Sequence, residues 1–115
     1  MKRFMIVEDN KRFREILKQF LTPYGSVVCE SANGADAVLR YEECQPDFVL
    51  MDIRMDVLDG ITATRIIKQR HPDAQVIIVS ECDESDFGAK ALQAGAIGFV
   101  AKGNLEMLSK YFPAT

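Results

Sequence analysis

The sequence lacks the features that would place the protein in a membrane or on nucleic acid. No apolar run reaches the roughly 20 residues of a membrane helix, and the apolar part of the N-terminus is too short for a signal peptide. Lysine and arginine number 14 against 17 acidic residues, and the absence of a basic cluster disfavours direct DNA binding. We therefore expect a soluble, cytoplasmic protein that has no membrane partner.

Cysteine and histidine are scarce, and nucleotide-binding motifs are missing. The three cysteines, Cys29, Cys44 and Cys82, form neither a C-x-x-C pair nor a zinc pattern, so reduced thiols are expected. The single histidine, His71, is expected in a turn at the end of a helix. The chain has neither G-x-G-x-x-G nor a P-loop, which argues against dinucleotide and nucleotide binding.

Short apolar runs alternate with helical patterns along the 115 residues, and no internal repeat or linker interrupts them. Strands are predicted at Phe4–Val7, Val27–Cys29, Phe48–Met51, Val76–Val79 and Gly98–Ala101. Helices are predicted over Lys11–Leu21, from after Gly34 to before Pro46, over about 58–70, over about 85–94, and in a last segment ended by Pro113. Such alternation predicts right-handed βαβ crossovers and one parallel sheet with helices on both faces.

Carboxylates follow two of the predicted strands. Glu8 and Asp9 come directly after the first strand, and Asp52 follows the third. Because ligands of such sheets lie beyond the carboxyl ends of the strands, we expect these acids together at one edge. Solvated loop acids are the simpler interpretation of each one alone, but three acids at two strand ends disfavour it. An all-oxygen ligand set of this kind suits Mg²⁺.

Ser80 and Lys102 end the fourth and fifth predicted strands and should reach the same edge. Taken alone, a serine at such a place is more often a turn former, and a lysine is more often a solvated surface residue. Beside a carboxylate cluster, however, a lysine neutralises charge, and a lysine with a hydroxyl can hold phosphoryl oxygens. The set predicts a place for a phosphoryl group beside the metal.

In this order and at these spacings, the residues resemble the receiver domain of bacterial two-component response regulators over essentially the whole length. The segments MDIRM, DGITATRII and AGAIGFVAK look most like receivers of the NarL/FixJ kind. The resemblance implies an α/β, doubly wound (βα)5 fold of the flavodoxin-like type, with a parallel five-stranded sheet in the order 2-1-3-4-5. It also implies a single receiver domain over residues 1–115, with no output domain in this chain.

The resemblance assigns chemical roles to the residues at the sheet edge. Asp52 would be the phosphoacceptor, a nucleophile that takes the phosphoryl group of a phosphohistidine. Lys102 would pair with the phosphoryl group and Ser80 would donate a hydrogen bond to it. Ser80 and Phe99 would form the conformational switch, in which Phe99 rotates inward as the hydroxyl moves toward the phosphate.

The resemblance also implies a Mg²⁺ site and a set of partners. Asp9, Asp52 and the backbone carbonyl of Arg54 would bind the metal, with Glu8 acting through a water. The phosphoryl donor would be a sensor histidine kinase or a phosphotransfer protein. The domain would control a partner or an output domain, in transcription regulation, and could dimerise through its helical faces. DNA would be contacted only through an output domain, and the chain would not be a turnover enzyme.

Three positions depart from the usual receiver pattern. Glu81 follows the serine where a small residue is usual, and it either slows phosphorylation or pairs with Arg54. Asp56 replaces a common proline and adds negative charge. Gly103 replaces the proline after the lysine and leaves the lysine's loop freer. Cys82 is expected near the mouth of the pocket, chemically inert among the surrounding acids.

Several alternatives share parts of this pattern. A degenerate receiver that binds partners without phosphorylation is supported only by the three departures. A phosphatase with an aspartyl nucleophile needs a second acid two residues later, where this chain has Arg54. A flavodoxin-like electron carrier needs a hydroxyl-rich first loop that is poor in acids, and VEDN has the opposite composition.

Overall fold

Strands and helices alternate throughout the computed structural model, which describes residues 1–112. The strands are β1 Lys2–Val7, β2 Gly25–Ser31, β3 Phe48–Met51, β4 Val76–Ser80 and β5 Gly98–Ala101. The α-helices are α1 Lys11–Leu21, α2 Gly34–Cys44, α3 Gly60–Arg70 and α4 Glu84–Ala94, and a 3₁₀ helix spans Lys102–Tyr111. The last helix was predicted only as an apolar stripe, and Pro113, its predicted end, lies outside the described residues.

The five strands form one parallel sheet in the order β2-β1-β3-β4-β5, so the predicted fold is confirmed. Alternate strand residues face two separate cores. On one side Phe4 and Ile6 pack with α1 and the 3₁₀ helix. On the other side Met5 and Val7 pack with α2, α3 and α4. Burial on both faces is why the strands are almost continuously apolar.

Each α-helix begins with a side-chain cap on the edge of the sheet where the strands end. The capping residues are Asn10, Asn33, Asp59 and Asp83, and each accepts a hydrogen bond from a backbone N–H in the first turn. The caps satisfy donors that a helix cannot pair internally. The caps also explain two small errors in the predicted bounds. With Asp59 as its cap, α3 begins at Gly60 and not at about 58, and with Asp83 as its cap, α4 begins at Glu84 and not at about 85.

Within residues 1–112, no helix combines the length and the apolar character that crossing a bilayer requires.

The prediction of reduced thiols is wrong for two of the three cysteines. Cys29 on β2 and Cys44 at the end of α2 form a disulfide, with their Cα atoms 6.2 Å apart. Both lie in the core between α2 and the sheet, where the βα unit folds back on itself. Sequence spacing alone does not show that contact. In the part of the chain described, Cys82 is the one free cysteine.

We expect protein purified without reductant and then denatured to expose one reactive thiol per chain, and three after reduction. Cys82→Ser should expose none before reduction and two after it, since the remaining cysteines are paired. Titration with a thiol-specific chromogenic reagent measures both numbers. Reduction should lower the free energy of unfolding by about 3 kcal/mol, the value for a loop of this length. Three thiols before reduction would contradict the pairing.

Candidate functional site

The carboxyl ends of β1, β3, β4 and β5 surround a cavity of about 230 Å³. Parallel pairing places Val7 beside Met51 and Ser80 beside Ala101, so the residues that follow these strands emerge at one edge. The side chains lining the cavity are Glu8, Asp9, Asn10, Asp52, Arg54, Ser80, Glu81, Cys82 and Lys102. The acids, the serine and the lysine singled out in the sequence are therefore brought together.

The three acids are close but differ in burial. One carboxylate oxygen from each of Glu8, Asp9 and Asp52 lies within 4.8 Å of the others. Glu8 is 1% exposed and Asp52 is 7% exposed, whereas Asp9 is exposed. Burial raises the pKa of both the Glu8 and the Asp52 carboxyl groups above their ordinary values. The three acids offer only oxygen atoms as metal ligands, and the negative charge of the two buried ones is poorly solvated. Both properties suit a hard cation such as Mg²⁺.

Backbone contacts fix the orientation of Asp52. Its N–H donates to the carbonyl of Val7 at 3.0 Å, and its Oδ1 accepts from the N–H of Ile53 at 2.8 Å. A Cβ at Gly60 would overlap the Asp52 carbonyl, so glycine lets the first turn of α3 pack directly against this backbone. The DG pair in the sequence thus supplies a helix cap and the close approach beside it.

Lys102 is the cation of the cluster. Its Nζ lies 2.7 Å from Glu8 Oε1 and 3.4 Å from Asp52 Oδ2, and 4.6 Å from the centroid of the Phe13 ring. Burial opposes the charged form, but the close contact with Glu8 and the charge of Asp52 prevail and raise the pKa of the Lys102 amine. The lysine therefore stays charged and partly neutralises the two buried carboxylates.

The loop after β4 forms the opposite wall. Ser80 is buried, and its Oγ accepts a hydrogen bond from the N–H of Cys82 at 3.0 Å. Arg54 Nε donates to Cys82 Sγ at 3.2 Å. The expected alternative pairing of Arg54 with Glu81 does not occur among the described ion pairs. The thiol lies at the cavity, as predicted, and accepts this hydrogen bond from the Arg54 guanidinium.

Two residues tied to sequence predictions lie away from this cavity. Phe99 on β5 is half-buried and packs against the core under α4, where it also lines a second cavity of about 370 Å³ between α4, β5 and the 3₁₀ helix. His71 lies at the end of α3 and contacts the ring of Tyr41, with centroids 4.7 Å apart. It is not part of the acidic cluster.

One contact of the site and one backbone feature of the β3–α3 loop were not predicted from the sequence. Phe13 was interpreted only as part of the core stripe of α1, yet its ring lies against Lys102. Its place in the first turn after Asn10 was the available signal, because that turn starts at the sheet edge. Val57 has φ +72°, and no pattern in the chain distinguishes it from a neighbour in an ordinary loop.

The model of the family described as "response regulator receiver domain" matches residues 4–111. The chain belongs to this family. The chemotaxis protein CheY of Bacillus subtilis (strain 168) is 43% identical over 101 residues, which cover 87% of this chain and 84% of CheY. The response regulator GacA of Pseudomonas viridiflava is 35% identical over 105 residues, covering 90% of this chain and 49% of GacA. The chain spans about half of that longer relative.

Solved structures agree with this assignment. The receiver domain of the putative response regulator NarL from Mycobacterium tuberculosis is 33% identical, with a TM-score of 0.81 over 88% of this chain and 78% of that one. A CheX–CheY–BeF₃–Mg²⁺ complex from Borrelia burgdorferi is 26% identical, with a TM-score of 0.86 over 97% of this chain and 90% of that one. The predicted likeness to receivers, including that of NarL, is confirmed.

The loop between β3 and α3 contains a strained turn. The N–H of Leu58 donates to the carbonyl of Asp56 at 2.8 Å, which closes a three-residue γ-turn around Val57. With φ at +72° this is the rare, strained form of that turn, and a β-branched residue suits it poorly. The Val57 side chain is also 82% exposed, so packing does not offset the strain.

We expect Val57→Gly to raise the free energy of unfolding by about 1 kcal/mol, since the strain removed exceeds the entropy that glycine adds to the unfolded chain. Val57→Ala should gain less, because it keeps a Cβ at positive φ. Leu39→Gly is the control: Leu39 is an exposed residue inside α2, and glycine there should lower the free energy of unfolding by about 1 kcal/mol. Urea denaturation measures all three. A less stable Val57→Gly protein would contradict the strain.

We expect Asp52→Asn to unfold at a higher temperature than the wild type in metal-free buffer at neutral pH, by about 4 °C. A raised pKa means that the folded state holds the proton more tightly than the unfolded chain. The carboxyl group therefore reduces stability as pH rises from its ordinary pKa through the raised one. Asn keeps the shape, and its oxygen can still accept from Ile53, without the buried charge.

The advantage of Asp52→Asn should vanish near pH 3, where the wild-type carboxyl is protonated in both states. Asp9→Asn is the control, because Asp9 is exposed and its neutralisation should change the melting temperature little. Calorimetry across this pH range measures the difference. A lower melting temperature for Asp52→Asn at neutral pH would show that the Lys102 contact outweighs the cost of burial.

Proposed function

We propose that this receiver is the phosphoacceptor of a two-component system and takes a phosphoryl group onto Asp52. The observation that carries the proposal is the placement of the Asp52 side chain. One oxygen is tied to the backbone, and the other faces a cavity that Lys102 and Ser80 also line. A nucleophile fixed in this way, with a cation beside it, needs little rearrangement to accept a dianionic group.

In the proposed reaction a carboxylate oxygen of Asp52 attacks the phosphorus of a phosphohistidine on a sensor histidine kinase or phosphotransfer protein. The phosphorus–nitrogen bond breaks, the imidazole keeps the electron pair, and an aspartyl phosphate forms. Lys102 Nζ, now 3.4 Å from Asp52 Oδ2, pairs with the transferred oxygens. Ser80 Oγ accepts from Cys82, which leaves its own hydrogen to be donated to the phosphoryl group.

The acidic cluster provides ligands for Mg²⁺ in this proposal. Asp9, Asp52 and the carbonyl of Arg54 would hold the ion, and Glu8 would act through a water. When bound, Mg²⁺ neutralises the phosphoryl oxygens during transfer. The separations of at most 4.8 Å between the carboxylate oxygens support the assignment, and so does the CheX–CheY–BeF₃–Mg²⁺ complex from Borrelia burgdorferi, whose CheY has the same fold.

The proposed output is a change at the face formed by α4, β5 and the 3₁₀ helix. As Ser80 moves toward the phosphoryl group, Phe99 turns inward and repacks this face. The second cavity beside Phe99 gives the ring room to move, and Leu92 and Met107 at its rim are exposed apolar side chains. A partner protein, a second copy of the chain or an output domain would recognise the changed face.

We place the domain in the cytoplasm, within transcription regulation, with DNA contacted only through an output domain. The role in transcription is supported by the transcriptional regulatory protein DegU of Brevibacillus brevis, which is 37% identical over 100 residues, covering 85% of this chain and 42% of DegU. The chain would undergo phosphorylation and dephosphorylation of its own carboxylate and would not be a turnover enzyme. A degenerate receiver is the second candidate, because Glu81 lines the cavity and lacks the expected ion pair with Arg54.

We expect the intact mass to rise by one phosphoryl group after incubation with Mg²⁺ and acetyl phosphate, and not without Mg²⁺. Asp52→Asn should show no rise. Lys102→Ala should be phosphorylated about 100-fold more slowly, the usual effect of removing a group that stabilises transferred charge. Lys110→Ala, which removes an exposed lysine of the 3₁₀ helix, should react like the wild type. Time-resolved mass spectrometry gives the rates.

A mass gain that persists in Asp52→Asn would contradict the assigned acceptor. If a folded wild-type protein gains no mass with acetyl phosphate or with any candidate kinase, the degenerate receiver is favoured. Glu81→Ala then becomes informative. A gain restored by that substitution would show that the acid at the rim blocks an otherwise competent site.

A further inference from the structure

The segment that follows Lys102 does little to hold its side chain. A Cβ at Gly103 would have no atom within 4 Å, so the residue next to the lysine in the 3₁₀ helix makes no packing contact on its side-chain side. The side chain is nevertheless only 13% exposed. It is held from three directions by Glu8, Asp52 and the ring of Phe13. Of these, the Phe13 ring is the uncharged contact.

The position of Phe13 is itself well defined. Its backbone N–H donates to Oδ1 of the capping residue Asn10 at 3.0 Å, which fixes the first turn of α1 at the sheet edge. The side chain is half-buried and packs against the core between α1 and the sheet. From there the ring reaches the ammonium group, with Nζ 4.6 Å from its centroid. This distance is within the range of a cation–π interaction.

The two carboxylates cannot hold the lysine in the same way throughout phosphoryl transfer. In the proposed function Asp52 becomes the phosphorylated residue and Glu8 turns toward the metal through a water. A ring attracts the ammonium group by its quadrupole and adds no negative charge to a site that must admit a dianion. Its attraction is thus unchanged when the charges around the lysine change.

We propose that Phe13 is a positioning residue for Lys102, which holds the ammonium group against the cavity wall facing Asp52 while the phosphoryl group arrives. The proposal rests on the phosphoacceptor function proposed above. It assigns to an aromatic residue of α1 the role of fixing the lysine, which the unpacked glycine after Lys102 does not perform.

The first test compares phosphorylation rates with acetyl phosphate and Mg²⁺. Phe13→Leu keeps an apolar side chain and removes the ring, and we expect the rate to fall about fivefold. Phe13→Tyr should recover most of the loss because it restores the ring. Phe20→Leu is the control: it makes the same change on α1 at a half-buried ring that packs against Tyr24 instead, and it should leave the rate unchanged. Equal loss in both leucine variants would overturn the proposal.

The second test needs neither metal nor phosphoryl donor. A proton near the face of an aromatic ring is shifted upfield, so the ε-CH₂ protons of Lys102 should resonate upfield of those of other lysines. Lys102→Arg assigns the signal by its loss. The shift should persist in Phe13→Tyr and disappear in Phe13→Leu, and Phe13→Met offers a second ringless variant if Phe13→Leu does not fold.

The two tests separate the possible failures. A wild-type Lys102 signal without an upfield shift would overturn the contact and the proposal with it. An upfield shift lost in Phe13→Leu with no change in rate would overturn the positioning role alone. If the wild type shows the shift and takes up no phosphoryl group, the phosphoacceptor function fails and the role in transfer fails with it, while the ring contact stands.

Discussion

The site depends on the balance of charge at the carboxyl edge of the sheet. Glu8 and Asp52 are buried there, and Lys102 lies between them as the compensating cation. A buried carboxylate is costly unless a charge and hydrogen bonds compensate it. Lys102 contacts both buried acids, while Arg54, the other cation at the cavity, donates to Cys82 instead. Burial therefore raises the pKa of both Glu8 and Asp52, and the contacts with Lys102 offset this only in part.

The rest of the fold can be understood as the means of keeping these groups in place. Both faces of the sheet are covered by apolar cores, which hold the strand ends in register, and the side-chain caps fix where each α-helix leaves the edge. The β3–α3 loop, which follows the proposed acceptor along the chain, carries a strained turn at Val57. The Cys29–Cys44 bond joins β2 to the end of α2, and neither cysteine lines the cavity.

Most of the fold could be predicted from the sequence, because apolar runs and helical stripes alternate and strand ends share an edge. Acids, serine and lysine at those ends sufficed to predict which side chains meet. The disulfide could not be predicted, since it depends on how the end of α2 packs against β2. Nor could the Arg54–Cys82 contact, which joins two loops. These features are set by packing between elements, and local periodicity carries no information about it.

The incomplete neutralisation of Glu8 and Asp52 by Lys102 links stability to the proposed function. If positive side chains fully neutralised the carboxylates at this edge, the fold would be more stable. It would then gain little from binding a divalent cation, and the Asp52 carboxylate would be held in an ion pair. A lone lysine shared between Glu8 and Asp52, at 2.7 and 3.4 Å, leaves the acceptor oxygen the more weakly paired of the two. In the proposed function, the same incomplete pairing leaves Asp52 available to a metal and to a phosphoryl group. Selection for a competent acceptor would maintain that cost, because removing it would also remove the driving force for binding the ion.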